Sequence, residues 1–350
     1  MLYGNFDTFY TLDANDEFGH AAAAVGDING DGIGDLAVGA HNDDDGGTNA
    51  GAVYMLLLES NGIIKSAQKV SMLYGSFSAF YTLDPDDGFG CSIALLGDIN
   101  NDGIADLVVG AAGDDDSTIN AGAAYILFLD TNFDVNEAQK LSMNYSDFGT
   151  FYTLDANDGF GVSLAALGDV DIDGVVDIAA GAHDDNDGGT YIGAVYVLFL
   201  ETNGNVKDAQ KLSMIYGNFS SFYSLTAGDQ FGDSVAGIGD MNGDGMNDMV
   251  VGAYKDADKD IKVGDCLHTT EGPSIVHTIE RVAIKEGDMT YSIGLEGSFG
   301  AVAIGGVFTH VMSYTRIRGH NIDISKKFGG EVAYKPSAKI NKGHIRLPWS

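Results

Sequence analysis

The chain has 350 residues, 45% apolar and 20% charged, with 51 acids against 18 bases for a formal net charge of −33. That is too apolar for a disordered acidic tail and long enough for about two domains. Its acidity repels phosphate backbones and anionic lipid, which excludes nucleic acid as a partner and makes divalent cations the natural counter-ions.

The charge is uneven. Residues 1–260 hold 43 acids and seven bases, a net −36, whereas residues 261–350 carry a net +3, so two regions of different origin are expected. Two cysteines, Cys91 and Cys266, give no disulfide framework. No apolar run reaches the roughly 18 residues of a membrane span. The first residues lack the basic and apolar parts of a signal peptide. They are nevertheless in phase with later segments: Met1-Leu-Tyr-Gly-Asn-Phe6 matches Met72 to Phe77, Met143 to Phe148 and Met214 to Phe219. The sequence is therefore expected to begin inside a longer array.

Each period opens on a Phe-Gly pair (Phe18-Gly19, Phe89-Gly90, Phe160-Gly161, Phe231-Gly232) and runs through small and apolar residues into an acidic loop. This predicts a strand entering a tight turn. The loop recurs four times, 71 residues apart, as Asp27 to Asp35, Asp98 to Asp106, Asp169 to Asp177 and Asp240 to Asp248. A short apolar run ending in Gly-Ala follows, predicting the return strand of a hairpin. After a polar loop comes a β-rich run, Gly51 to Leu58, Gly122 to Leu129 and Gly193 to Leu200, expected to be the most buried strand. The last strand, Ala67 to Met72, Ala138 to Met143 and Ala209 to Met214, alternates polar and apolar residues as a half-exposed outer strand should. An aromatic tail such as Phe80-Tyr81-Thr82-Leu83 is counted with it. About four strands per period, with no helical pattern, predict an all-β fold: a partial β-propeller of four-stranded antiparallel blades, about three and a half repeats over 1–256. A 71-residue unit is long for the rung of a β-solenoid, the competing architecture.

Oxygen ligands at loop positions 1, 3, 5 and 9, with glycine at 6, suit a hard cation. The expected calcium ligands are Asp27, Asn29, Asp31, Ile33 (backbone carbonyl) and Asp35; Asp98, Asn100, Asp102, Ile104 and Asp106; Asp169, Asp171, Asp173, Val175 and Asp177; and Asp240, Asn242, Asp244, Met246 and Asp248. An EF-hand needs a bidentate Glu at position 12, where this chain has Val38, Val109, Ala180 or Val251, so the loops are not EF-hands. About four structural calcium ions are expected, one per repeat. Other acids, in Asp43 to Asp45, Asp114 to Asp116 and Asp184 to Asp187 and before each Phe-Gly, as at Asp13 and Asp16, read as solvated loops. His41 and His183 are equivalent but have no Cys or second His near them in sequence, which argues against a transition-metal site. No nucleophile, base and orienting group recur together, so no catalytic residue is assigned.

Phe-Gly, the acidic loop, Val-Gly-Ala and Gly-Ala-Val-Tyr together resemble the FG-GAP repeat, the blade unit of the integrin α-subunit propeller. The resemblance implies a calcium-binding module for cell adhesion or recognition, with a protein or glycan ligand and an extracellular or cell-surface setting. The alternative is an accessory region of a larger secreted enzyme, as in phospholipases that carry similar repeats, or of a self-processing precursor. The fourth copy stops after Val251-Gly252-Ala253-Tyr254, before its later strands. Missing blades or a second copy would complete the propeller.

Beyond Ile261 the repeat vanishes. A Val263-Gly264-Asp265 turn and the run Val302 to Thr309 resemble the second half of a Hint domain, the self-processing module of hedgehog proteins and inteins. That family acts through an amino-terminal Cys or Ser and an upstream Thr-x-x-His, neither of which stands in a suitable context before Val263. Residues 261–325 are thus expected to be a small β-rich, Hint-like remnant without self-processing, and 326–350 a basic tail.

Overall fold

In the computed structural model, residues 5–255 are described in full, with backbone strands in part of the region beyond them. The chain divides into two compact units, Met1–Asp256 and Ala257–Ser350. The first unit is all-β. Strands β1 (Ala22–Gly26), β2 (Asp35–Ala40), β3 (Ala52–Leu58) and β4 (Ile64–Val70) form an antiparallel meander in sequence order. It repeats as β5 (Ile93–Gly97), β6 (Asp106–Ala111), β7 (Ala123–Leu129) and β8 (Val135–Leu141), and as β9 (Ser163–Gly168), β10 (Asp177–Ala182), β11 (Ala194–Leu200) and β12 (Val206–Leu212). A fourth sheet holds only β13 (Phe231–Gly239) and β14 (Asp248–Ala253). Among the described residues the result is three whole blades and half of a fourth.

The first strands of successive sheets, β1, β5, β9 and β13, touch in order, so each blade is laid on the next through its leading strand. The Phe-Gly motif makes that joint. Phe89 donates its N–H to the Ala50 carbonyl at 2.9 Å and Gly51 bridges Phe89 in parallel, so the start of the second blade pairs with the first. Three backbones meet there: a Cβ at Gly39 would stand 2.0 Å from the Gly90 carbonyl oxygen, and Gly90 itself has φ +93°. Glycine is required at both places because no side chain fits. The Phe89 ring is wholly buried against Phe77, 4.9 Å between centroids, and Tyr125.

Strand β7, Ala-Ala-Tyr-Ile-Leu-Phe-Leu, is buried throughout, because neighbouring sheets cover both faces and the period of two disappears. The aromatic segment after each outer strand belongs elsewhere than expected. It turns through a short 3₁₀ element, Phe77–Ala79, and Tyr81 packs edge-on against Tyr125 and accepts the Lys140 N–H at 3.1 Å. The segment is the lead-in to the following blade, not the tail of the preceding one.

In the second unit the backbone forms a meander of β15 (Cys266–Thr269), β16 (Gly272–Lys285) and β17 (Asp288–Glu296), and a pair β18 (Ala301–Ile304) with β19 (Val307–His310). Strands β20 (His320–Ile322), β21 (Val332–Pro336) and β22 (His344–Ile345) form a third sheet. The side-chain roles expected of a Hint-like remnant, Cys266 included, and of the tail fall outside the described residues.

Candidate metal centre

Sixteen of the twenty expected ligand residues sit in the four loops joining the first and second strands of each sheet, and the other four, Asp35, Asp106, Asp177 and Asp248, open the second strands. The loop shape follows from carboxylates binding their own backbone, which Asp and Asn do readily. In the second loop, Asp98 accepts the N–H groups of Asp102 and Gly103, both at 2.9 Å, Asn100 accepts Asp102 N–H at 3.0 Å, and Asp102 accepts Ile104 N–H at 2.8 Å. The same net is drawn around Asp27, Asp169 and Asp240. Position 6 has φ between +88° and +93° in all four copies (Gly32, Gly103, Gly174, Gly245), which is why it is glycine.

Position 9 has a different part. Asp35, Asp106 and Asp177 are almost fully buried. One Asp106 oxygen accepts Ile99 N–H inside the loop at 3.1 Å. The other accepts Leu129 N–H at the end of β7, at 3.2 Å. This carboxylate ties the loop to the third strand. Burial pushes Asp106 up to about 7, against the pull of its two backbone donors, and raises Asp177 for the same reason. A cation beside it would favour the ionised form.

The donor set suits a cation, and in two loops one is already there. Lys65 Nζ lies 2.7 Å from Asp31 Oδ2, and Lys207 Nζ lies 2.8 Å from Asp171 Oδ2 and also meets Asp173. The Lys65 hydrogen bond depresses Asp31. At the same register the second blade has Asn136. In the third loop one carboxylate oxygen each from Asp169, Asp171 and Asp177 lie within 4.8 Å of one another. Among the described residues the other three loops hold no such group of three carboxylates.

Some of the remaining acids are exposed as expected, Asp44 and Asp115 among them, but others are not. Asp43, Asp114 and Asp185 are buried, not solvated. Each takes an ion pair from an equally buried lysine of the outer strand, with Lys140 Nζ 2.6 Å from Asp114 Oδ2 and Lys211 Nζ 2.6 Å from Asp185 Oδ2. Each also accepts a tyrosine hydroxyl, Tyr125 to Asp114 at 2.8 Å. Asp45, Asp116 and Asp187 complete the lysine's shell. Burial acts to lower the Lys140 pKa, but the charges of Asp114 and Asp116 and the hydrogen bonds to both together outweigh it, and the net shift is upward. Of the acids before Phe-Gly, Asp13 is exposed as expected, but Asp16 and its counterparts Asp87, Asp158 and Asp229 are buried. Asp87 accepts Asp84 N–H at 2.8 Å, and burial, then the neighbouring Asp114 charge, push it up to about 7. The outer strand is thus half-exposed only in part, since Lys69, Lys140 and Lys211 point inward.

The reading of the histidines also needs correction. His41 does have a second histidine nearby: His20 stacks on it with ring centroids 4.0 Å apart. The two are 21 positions apart in sequence, and the hairpin between them brings them together.

Repeated four-stranded meanders joined through their leading strands define a β-propeller-type array, here incomplete among the described residues. Residues 18–56 and 89–127 match the FG-GAP repeat. The chain carries FG-GAP repeats. It is 30% identical over 207 residues to integrin alpha-3 of Cricetulus griseus, covering 59% of this chain and 17% of that protein. It is 29% identical over 248 residues to integrin alpha pat-2 of Caenorhabditis briggsae, covering 67% and 18%, and 31% identical over 187 residues to integrin alpha-7 of Mus musculus, covering 53% and 14%. The chain spans less than a fifth of the length of these curated relatives.

Proposed function

We propose that residues 1–256 are a calcium-stabilised recognition module, used in cell adhesion or in binding a protein or glycan outside the cell, with no catalysis of its own. The reading is carried by the acidic loops: four copies of one oxygen-donor set, two of which hold a lysine ammonium against the carboxylates. The similarity to integrin α chains supports adhesion or recognition as the use. No described helix is long and apolar enough to cross a membrane.

Bound in the loops, calcium would neutralise carboxylates crowded into one turn. The chain's own residues divide the remaining work. Positions 1, 3 and 5 organise the loop backbone, and position 9 fastens it to the third strand. Loops one and three give up a lysine to accept a cation, whereas the second gives up none. Calorimetric titration of the whole chain with calcium tests this. We expect uptake at roughly tenth-millimolar to millimolar calcium, as in extracellular modules. Asp98→Ala with Asp102→Ala should remove one equivalent. Absence of any heat or stoichiometric uptake in that range would refute the reading.

A further inference from the structure

The first blade carries a group of metal-binding side chains that its sister blades lack. Glu17, His20 and His41 each present one ligand atom, and all three lie within 4.8 Å of one another. Glu17 Oε2 is 3.6 Å from His20 Nδ1 and 3.8 Å from His41 Nε2. The corresponding residues are Gly88, Cys91 and Ala112 in the second repeat, Gly159, Val162 and His183 in the third, and Gln230, Asp233 and Tyr254 in the fourth. None repeats the trio. We propose that Glu17, His20 and His41 form a binding site for a divalent transition-metal ion of the zinc type.

Three features of the site point the same way. Two imidazole nitrogens and one carboxylate oxygen form a donor set for zinc, leaving one tetrahedral position for water. It is unlike the oxygen-only acidic loops, so the two kinds of site select different ions. Second, the His41 ring offers a single working edge. Its Nδ1 is buried without a hydrogen-bond partner, which leaves Nε2, the nitrogen turned toward Glu17. Third, Glu17 has φ +54°, a left-handed backbone at the place where the second and third repeats have glycine. The fourth repeat also has a non-glycine residue in this strained turn, Gln230 at φ +56°, and there too the side chain is engaged, donating to Asp184. Glu17 and His20 are exposed and free to close on an ion, while His41 is half-buried and fixes one corner. The ion would link the Phe18-Gly19 corner ahead of β1 to the end of β2.

The test uses the full chain without a histidine tag, in millimolar calcium so that the acidic loops are filled. Cobalt(II) titration should give one equivalent with the visible absorption of a tetrahedral nitrogen and oxygen site, bleached by zinc. His20→Ala and His41→Ala should each weaken zinc binding more than about a hundredfold, beyond the loss expected for an outer-shell partner. His183→Ala should leave it unchanged. Zinc at micromolar levels should raise the melting temperature of the wild type but not of His20→Ala, whose metal-free melting temperature serves as the folding control. Equal zinc affinity in the wild type and the His20→Ala, His41→Ala double variant, or no zinc binding in the presence of calcium, would overturn the proposal.

Discussion

Strands β6 and β14 have nearly the same sequence, Asp106-Leu-Val-Val-Gly-Ala111 and Asp248-Met-Val-Val-Gly-Ala253, and opposite surroundings. Every residue of β6 is buried; every residue of β14 is only half-buried. The first is flanked by β7 and lies under the third blade, while β14 ends its sheet among the described residues. The loop anchor differs in step. An Asp106 oxygen takes the Leu129 N–H from the third strand, whereas the corresponding Asp248 oxygen receives only the Asn242 amide of its own loop, at 3.4 Å. Burial here is a property of the neighbour more than of the strand, which is how a repeat array distributes its stability.

The largest effect should come from removing what only a whole blade possesses. Lys140→Ala leaves Asp114 buried without its counter-charge, and we expect a loss of about 3–5 kcal/mol in urea unfolding. The described part of the fourth repeat holds no such pair, so substitutions there should cost less. Next, a Cβ at Gly110 would meet the Gly161 carbonyl oxygen at 2.0 Å. At Gly252 it would meet only the Ser234 hydroxyl, which can rotate away. Gly110→Ala should therefore destabilise by about 1–3 kcal/mol and Gly252→Ala by less than about 1. Equal losses would mean that the glycine serves its own sheet and not the next blade.

The smallest effect concerns pH. The Asp87 carboxyl is raised to about 7 in the folded chain, against about 4 when unfolded. Between those values the folded state holds more protons, so this group's contribution makes stability fall as pH rises from about 4 to about 7. Asp87→Asn keeps an acceptor for Asp84 N–H and removes the titration. Relative to the wild type it should gain stability at pH 7.5 compared with pH 5, measured by urea unfolding at both. A difference between the two chains that does not change with pH would contradict the assignment.

Much of this was legible in the sequence. A fixed period carried the blades, and Asp, Asn and Gly at set offsets carried the loops, because both are local patterns. What stayed hidden was contact across the sheet. Lys69, Lys140 and Lys211 occupy an alternating strand and read as solvent-facing, yet each reaches an aspartate 26 residues earlier. That constant Asp-to-Lys offset, repeated three times, was the available signal. The aromatic lead-in was assigned to the wrong blade because a period has no intrinsic starting point. His20 and His41 became neighbours only once the intervening hairpin was folded.

Calorimetric melting of the whole chain with and without millimolar calcium is the most direct measure of the proposed role of the acidic loops as calcium clamps. A ligand that binds only the folded state must raise the melting temperature. We expect a rise that grows with calcium concentration and is reduced, not abolished, by Asp98→Ala with Asp102→Ala, since the other loops remain. A melting temperature indifferent to calcium would contradict the claim.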